Sequence, residues 1–336
     1  MMKKTVLAVA LSIICSLPYT VSAAQEVEYK IINGLRCYET MYNAVPYSLV
    51  MQIPLGSKPE NVGGFAQDKR GMSSGLPMTF RPSSNPDEVW ILDSINDTLK
   101  LFNYSGKLIR SISLDKMGFI TDFAMNKAGE IAFLNQNSGK IYITDNQGNI
   151  KSTLNDFEYA LSLEYYNDQE LLVKSPLSKG IVRVSTNGER LGLYEADQTL
   201  STYSSKKGIW GLDCFGGTVA KLYVIETGTN NKKVVAEFPF NDYKDVEYKG
   251  GAIYGFDSKG NLYFGLTACD SNGIVYRDRI YMCNQDGKVL KQMDVTGMCV
   301  RSPDLPRHRV AWPDGRIMTF YSDESDLYSL NAFTFK

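Results

Sequence analysis

The chain contains a single histidine, His308, in the segment Pro306-Arg-His-Arg. A Ser-His-Asp triad needs its histidine within hydrogen-bond reach of a nucleophile, and catalytic zinc sites commonly use two or three histidines. A single histidine makes both a Ser-His-Asp triad and a catalytic zinc site unfavoured interpretations. The sequence therefore argues against a zinc-dependent enzyme, and we interpret His308 as a structural or surface residue.

Cysteines are the next residues whose chemistry could matter. Six are present, and none of them lies in the Cys-x-x-Cys spacing of redox or zinc motifs. Cys269 and Cys283 lie symmetrically about residue 276, so we expect them to face each other across a hairpin and form a disulfide. Such a bond would stabilise the fold by about 3 kcal/mol in the entropic model. Cys37 with Cys299 is the second expected pair.

Several acidic and amide-rich segments could offer oxygen ligands to a hard cation. They are Asp93–Asp97, Asn135–Asn137, Asp270–Asn272 and Asp323–Asp326. None has the Asp-x-Asp-x-Asp-Gly spacing of a dedicated calcium loop. Because Asn and Asp are also ordinary turn residues, we interpret these segments as turns.

The amino-terminal residues have the layout of a secretory signal peptide. Lys3 and Lys4 precede an apolar run from Thr5 to Leu17, and a small-residue end follows at Val21–Ala23. The run is shorter than the roughly 20 residues that a membrane anchor needs. We expect cleavage after Ala23, a mature chain of residues 24–336, and a periplasmic or secreted location.

Charge and hydropathy narrow the class of partner. Removal of residues 1–23 takes away two lysines and leaves a net charge of −3. A nucleic-acid partner calls for a basic patch and a high isoelectric point, so we expect none. No later stretch is apolar enough to span a membrane, and we expect a soluble mature protein.

The elements that would position any site form a repeat. From residue 77 on, four short strands alternate with turns rich in Gly, Asn and Asp, as in Glu88–Asp93, Thr98–Asn103 and Lys107–Ile112. The first turn of each unit falls near Asp87, Gly129, Asn167, Gly208, Gly260 and Gly315, at spacings of 38 to 55 residues. Units of about 40 residues with four strands are typical of propeller blades. The sequence therefore predicts an all-β, six-bladed β-propeller in a single domain.

The sixth unit ends before its fourth strand, because the chain stops at Lys336. An unpaired sheet edge would expose backbone donors and acceptors. One orphan strand, residues 47–55, precedes the first unit. We predict that this strand pairs with Ser329–Phe335, completes the last blade and closes the ring.

Two stretches, Glu88–Leu114 and Gly129–Leu154, resemble NHL-type six-bladed propeller repeats, with Asp after an apolar second-strand residue and a Gly-Lys or Gly-Asn turn before the fourth strand. Families of this type include binding modules, lactonases and lyases, so the resemblance fixes a fold and no single function. A calcium lactonase similar to gluconolactonase would place carboxylates at the ring axis. The residues that start or line the innermost strands, Asp122, Glu164 and Asp257, would then be catalytic.

One end of the ring should carry any site. The links between blades and the loops between second and third strands share this end, which we call the link end. The long stretches that we expect there are Gly56–Leu76, Glu195–Ser205, Cys269–Asp278 and Thr296–Arg307. Loops held by a rigid scaffold are common places for function.

Aromatic residues favour a binding role over catalysis. The chain has 21 tyrosines, and six of them break strict strand alternation: Tyr165, Tyr166, Tyr194, Tyr203, Tyr243 and Tyr276. Tyrosine is enriched in interfaces. We therefore predict an exported scaffold, without enzymatic activity, that binds a protein, peptide or glycan through the link end. The alternative is the metal-dependent lactonase or hydrolase, with calcium as its cofactor.

Overall fold

The computed structural model describes residues 30–32, 35–64, 79–175, 177, 180–195, 200–295, 307–322 and 327–335. The predicted signal peptide, residues 1–23, lies outside the described residues. So does Cys299, and with it the second predicted disulfide.

The described residues form 26 strands and one short 3₁₀ helix, Glu39–Met41. The strands before the repeats are β1 (Lys30–Ile32), β2 (Leu35–Cys37) and β3 (Ser48–Pro54). Those from residue 79 to residue 195 are β4 (Thr79–Pro82), β5 (Glu88–Asp93), β6 (Thr98–Asn103), β7 (Leu108–Ser113), β8 (Asp122–Met125), β9 (Ile131–Asn135), β10 (Lys140–Thr144), β11 (Ile150–Leu154), β12 (Ser162–Asn167), β13 (Glu170–Ser175), β14 (Gly180–Ser185) and β15 (Arg190–Glu195). The remaining ones are β16 (Leu200–Ser205), β17 (Gly208–Asp213), β18 (Val219–Ile225), β19 (Lys232–Pro239), β20 (Glu247–Phe256), β21 (Leu262–Cys269), β22 (Val275–Cys283), β23 (Val289–Asp294), β24 (Arg309–Ala311), β25 (Ile317–Ser322) and β26 (Leu327–Phe333). Among all the described residues, no helix has the length and hydropathy to cross a membrane.

Six antiparallel meanders of four strands make up the blades of a β-propeller. Blade 1 is β4 to β7, and blades 2 to 5 follow in chain order up to β23. The first strand of each blade is innermost. Every first turn that the sequence predicts joins a first strand to a second one, so the six-bladed fold is confirmed.

Blade 6 takes its outermost strand from the amino-terminal part of the chain. β3 pairs antiparallel with β26, with Pro54 opposite Leu327 and Ser48 opposite Ala332. The predicted closure of the ring is therefore confirmed, with the strand one residue shorter at each end than the sequence suggests. Met51 and Ile53 turn inward and are buried, whereas Leu49 is 57% exposed.

Six of the seven apolar clusters in the described core lie one in each gap between consecutive blades, and the seventh, Cys37, Met41 and Val275, joins the amino-terminal segment to blade 5. The gap between blades 6 and 1, for example, holds Phe80 and Val89 from one side and Trp312 and Phe320 from the other. The other five gaps are filled in the same way. In blade 1 the second strand, β5, is buried along nearly its whole length, while the outermost strand, β7, keeps an exposed face.

An amino-terminal segment lies over the link end of blade 5. β1 and β2 form a hairpin, and Cys37 of β2 pairs in parallel with Val275 at the start of β22. The backbone N–H of Val45 then donates to Asp294 at 2.8 Å, which leads the chain toward blade 6. This segment therefore adds to one blade before β3 closes the ring.

The predicted disulfide between Cys269 and Cys283 is wrong. Cys269 pairs with Val275 and Cys283 pairs with Leu262, so the two residues lie at opposite ends of the β21–β22 hairpin. Seven residue steps separate them, roughly 20 Å at strand spacing, and both cysteines are free. The hairpin turn is at 270–274, where Asp270 accepts backbone N–H groups, and not at residue 276.

Two of the predicted long stretches at the link end are short. β16 occupies residues 200–205, so the link between blades 3 and 4 spans only 196–199. β22 begins at Val275, so the loop that follows Cys269 has five residues. Ser, Thr and Asp residues in these stretches interrupt the apolar alternation by which strands are predicted. Most of the other two stretches, 65–76 and 296–306, lies outside the described residues.

Ring closure by β3 should control the stability of the whole fold. We expect Ile53→Ala to lower the free energy of unfolding by about 2–5 kcal/mol, because it opens a cavity in the cluster between blades 6 and 1. Leu49→Ala, on the same strand but facing solvent, should change it by less than about 0.5 kcal/mol. Urea unfolding measures both. Equal effects of the two substitutions would contradict the pairing.

Candidate functional site

Four charged side chains from four blades meet on the ring axis. They are Arg81 of β4, Asp122 of β8, Glu164 of β12 and Arg307, which precedes β24. Nη1 of Arg81 donates to Glu164 Oε2 at 2.6 Å, and its Nη2 lies 3.6 Å from Asp122 Oδ1. Nη2 of Arg307 lies 3.4 Å from Asp122 Oδ2 and 3.5 Å from Glu164 Oε2. Innermost strands start at the link end, so their first residues converge there.

Backbone groups complete this network. The N–H of Leu163 donates to Asp122 Oδ2 at 3.0 Å. The carbonyl oxygen of Leu163 accepts from Arg81 at 3.0 Å and from Arg307 at 2.8 Å. Burial alone would lower the pKa of Arg307, but the oxygens of Tyr203 and Asp122 raise it above its ordinary value. Arg307 therefore stays charged inside the ring.

A second buried ion pair joins blades 5 and 6 beside the first network. Nη2 of Arg309 donates to Asp278 Oδ2 at 2.8 Å, and its Nη1 donates to Tyr254 Oη at 3.0 Å. Both charged side chains are almost fully buried. The pair holds the start of β24 against β20 and β22.

A cavity of about 160 Å³ opens next to these two pairs, at the link end of the axis. Tyr203, Tyr254 and Phe215 supply aromatic walls. The polar side chains that line it, besides the two tyrosines, are Ser162, Lys174, Ser201, Thr202, Arg307, His308 and Arg309. Among the described residues, no aspartate or glutamate lines this cavity, so its polar surface is basic or neutral.

His308 lies in this lining, which the sequence did not indicate. Its ring meets the Tyr254 ring edge-on at 6.1 Å. Burial and the neighbouring Arg309 lower the pKa of His308 to about 4, against a smaller opposing effect of Asp278. At neutral pH the imidazole is therefore uncharged and can both donate and accept a hydrogen bond.

The axial residues do not fit a calcium site. Asp122 and Glu164 converge as the lactonase alternative requires, but two guanidinium groups already supply their counter-charge. Calcium takes six to eight oxygen ligands, and a cation here would face two arginines. The described residues contain no cluster of three or more metal-ligating side chains.

Asp257, the third predicted carboxylate, lies away from the axis. It follows β20, in the turn to β21, where its Oδ1 accepts the N–H groups of Lys259 and Asn261. Its Oδ2 accepts the Tyr263 hydroxyl at 2.9 Å. The prediction that it lines the axis is wrong, because the residue shapes a turn at the opposite end of the ring.

A larger and more open groove of about 620 Å³ lies between the outer strands of blades 4 and 5. Its two arginines are paired: Arg277 with Asp242, and Arg279 with Asp294 at 2.6 Å. It lies on the perimeter, far from any convergence of strands. We therefore locate the candidate site at the axial cavity.

Exposed apolar side chains lie at the link end of the ring, from the link between blades 1 and 2 to blade 4. Tyr159, Leu177 and Phe215 are each at least 60% exposed, and Phe119 and Leu161 are exposed as well. All five lie in links or in second-to-third-strand loops, and we call them the apolar rim. The other exposed large apolar side chains of the described residues lie on strands, and none lies in the turns at the opposite end.

Tyr159 of this rim has a strained backbone. Its φ is +60°, in the left-handed region that a bulky side chain rarely adopts. The link is held against the neighbouring turn, since the N–H of Phe157 donates to the Gly139 carbonyl oxygen at 3.0 Å. A Cβ at Gly139 would come within 2.7 Å of the Glu158 backbone. An exposed aromatic residue in such a conformation is typical of functional loops.

The six tyrosines that break strict strand alternation lie in different environments. Tyr203 is in the cavity wall, with the Arg307 guanidinium 4.9 Å from its ring centroid. Tyr243 and Tyr276 form a three-ring cluster with Tyr38 at the link end of blade 5. Tyr194 is buried between blades, and the other two, Tyr165 and Tyr166, end β12 away from the cavity.

Sequence analysis missed the arginines that neutralise the carboxylates. The available signal was position, because Arg81 and Arg309 each lie six residues before a predicted first turn, in the stretch that leads into it, where a buried charge must find a partner. It also missed a Gly-x-Ser-x-Gly spacing at residues 71–75. That run lies outside the described residues, and a nucleophile elbow additionally requires a strand-to-helix turn.

Comparisons with known proteins find distant structural similarities. No protein-family model and no curated protein matches the chain. Hydrazine synthase of Kuenenia stuttgartiensis is similar at 11% identity and a TM-score of 0.48, over 73% of this chain and 76% of that one. A streptogramin B lyase has 13% identity and a TM-score of 0.47, over 85% and 94%. The Swd1 β-propeller of Myceliophteria thermophila has 11% identity and 0.48, over 78% and 99%.

With TM-scores below 0.5, these similarities carry no argument about fold or chemistry. The six-bladed assignment rests on the sheets themselves. The NHL repeat stays a resemblance, since no family model supports it.

Loss of one axial charge should be costly. We expect Asp122→Asn to lower the free energy of unfolding by about 3–5 kcal/mol, because it leaves two buried arginines short of a counter-charge. Glu247→Gln, which removes the exposed pair with Lys249, should cost less than about 1 kcal/mol. Urea unfolding compares them. A change below about 1 kcal/mol for Asp122→Asn would contradict the described network.

The only histidine gives a direct test by NMR. We expect its imidazole resonances to titrate with a pKa of about 4. The unfolded chain binds this proton near pH 6.5, so stability should fall as the pH drops from about 6.5 to about 4, by up to about 3 kcal/mol. His308→Gln should remove that part of the pH dependence. A folded-state pKa of 6 or above would refute the buried environment.

Proposed function

We propose that this protein is an exported binding module that holds a protein, peptide or glycan partner against its link end. The observation that carries the proposal is the distribution of exposed apolar side chains. The apolar rim lies at the end of the ring where the axial cavity opens, and its Phe215 lines the cavity, while the turns at the opposite end have no exposed large apolar side chain among the described residues. Exposed apolar groups gathered on one face are typical of interaction sites.

Preorganisation of the rim supports the same function. Tyr159 is fixed in an unfavourable backbone conformation by the packing of its link on the turn at 136–139. A contact residue that is already ordered loses little conformational entropy when it binds. Tyrosine and phenylalanine also offer large contact areas with few rotatable bonds.

The axial chemistry favours binding over hydrolysis. A general base or nucleophile must be available to a substrate, whereas Asp122 and Glu164 are engaged by arginines. The alternative of a calcium lactonase therefore lacks a fitting donor set among the described residues. Export is part of the proposal and rests on the sequence of residues 1–23.

The experiment is a selection of ligands followed by variants of two surfaces. Purified mature protein is screened against a displayed library of random peptides and an array of glycans. Ligands that are found should bind Tyr159→Asn/Leu177→Ser at least tenfold more weakly than wild type, because that double variant removes two rim contacts. Asn tolerates the left-handed backbone of position 159.

Ile109→Ser/Leu191→Ser is the matched control. Both residues are exposed and apolar, but they lie on the outermost strands β7 and β15. This variant should retain wild-type affinity, and urea unfolding should show that both variants are folded. Ligands that bind the rim variant as well as wild type would contradict the proposal.

A further inference from the structure

The charges at the axial cavity are balanced. The two networks beside it contain three guanidinium groups and three carboxylates: Arg81, Arg307 and Arg309 with Asp122, Glu164 and Asp278. Lys174, the other cation of the lining, has an interaction partner of its own within the chain. A charged ligand would lose its hydration here without meeting a spare counter-charge, which is costly. The balance therefore favours an uncharged ligand.

The size of the cavity limits that ligand to one small ring. The volume is about 160 Å³, and protein cavities of about 150 Å³ hold one benzene molecule. Phenol has one non-hydrogen atom more than benzene, whereas a hexose ring with its hydroxyl groups has twice as many. A phenol therefore fits the cavity, and a hexose would enter it only in part.

The walls of the cavity suit an aromatic ring. Tyr203, Tyr254 and Phe215 all contribute to the lining. The guanidinium of Arg307 lies 4.9 Å from the centroid of the Tyr203 ring. That of Arg309 lies 5.8 Å from the centroid of the Tyr254 ring, so both tyrosine rings are held in place. Aromatic rings pack favourably against one another in edge-on or offset arrangements.

His308 offers a hydrogen-bonding group to such a ring. Its imidazole is uncharged at neutral pH, and among the described residues no group hydrogen-bonds to either of its nitrogens. The Ser201 hydroxyl, by contrast, already donates to the Trp210 carbonyl oxygen. The Thr202 hydroxyl accepts from Arg307. An uncharged imidazole can accept a hydrogen bond from a phenol hydroxyl or donate one to it.

We infer that the axial cavity receives the phenol side chain of a tyrosine in a bound peptide. The inference rests on the proposed function, which places the rest of the peptide on the apolar rim. Phe215 belongs both to the rim and to the cavity lining, so apolar contact continues from one to the other. The phenol ring lies against Tyr203 and Tyr254 in this arrangement, and its hydroxyl bonds to His308.

Small probes that share a methylphenyl ring test this ligand chemistry. p-Cresol, toluene, p-toluate and p-methylbenzylamine are titrated at neutral pH and constant ionic strength into the mature protein, with the His308 resonances as the readout. p-Cresol should bind about tenfold more tightly than toluene, because toluene has no group that bonds to the imidazole. The two charged probes should bind at least about tenfold more weakly than p-cresol.

Two substitutions of His308 separate hydrogen bonding from packing, with calorimetry as the readout. His308→Leu should weaken p-cresol binding about tenfold and leave toluene binding nearly unchanged. His308→Gln, whose amide can still donate and accept, should keep the affinity for p-cresol within about threefold of wild type. Urea unfolding shows whether both variants are folded.

Phe215→Ser tests the wall of the cavity. It should weaken p-cresol and toluene binding to the same extent, about fivefold, because apolar contact area is lost. Phe119→Ser is the matched control, since Phe119 is an exposed phenylalanine of the apolar rim that does not line the cavity. It should leave the binding of both probes unchanged.

Peptides selected on the protein give a second readout. They should contain a tyrosine whose replacement by phenylalanine weakens binding about tenfold, because the bond to the imidazole is lost. Peptides that depend on Tyr159 and Leu177 but contain no such tyrosine would overturn the inference and leave the proposed function standing.

Two results with the small probes would also overturn the inference. One is toluene binding as tightly as p-cresol, and the other is a charged probe or methyl glucoside binding more tightly than p-cresol. The opposite separation is equally measurable. p-Cresol binding with the expected preference, together with peptides that do not depend on the rim, would support the cavity assignment and remove the proposed docking face.

Discussion

The pairing of β3 with β26 joins segments that are far apart in the chain, as in the contact between Gln52 and Ser329, 277 positions away. Every blade packs against a neighbour on both faces. A ring left open at blade 6 would therefore expose apolar surface. Without β3 the edge of β26 would be unpaired and the cluster around Phe80 and Trp312 would lose Met51 and Ile53. Closing so long a loop is entropically unfavourable, and the burial of this cluster must offset that cost. The arrangement of the innermost strands around the axis also depends on the pairing of β3 with β26.

That arrangement has an electrostatic consequence. Blade 6 contributes Arg307 and blade 1 contributes Arg81, and the two reach the same carboxylates only because the ring is closed. Buried ion pairs are not the most stabilising way to fill such a space, since apolar residues of equal volume often do as well. What the network supplies is position. It fixes Arg307 at the cavity by bonds to Asp122, Leu163 and Thr202.

The sequence was sufficient for features that are set locally. Turn residues and strand alternation are properties of short segments, so the bounds of β5 and β6 could be predicted to the residue. Closure could be predicted as well, because a missing strand and an orphan strand are both visible in the chain. Features that depend on register were not predictable in this way. A hairpin centre misplaced by a few residues moved Cys283 from Leu262 to a false partner, and Asp257 could not be assigned to the turn or the axis from its strand alone.

The candidate site shows the same limit in its chemistry. Asp122 and Glu164 were identified as candidate axial residues, but their partners lie up to 185 positions away, and local pattern does not show which residues pair with them. Two carboxylates considered without their arginine partners indicate a cation site. Once the arginines are included, a cation site is no longer indicated. The carboxylates instead neutralise two buried guanidinium groups. The surface that faces the mouth of the ring then combines aromatic rings with paired arginines, and it continues into the apolar rim through Phe215.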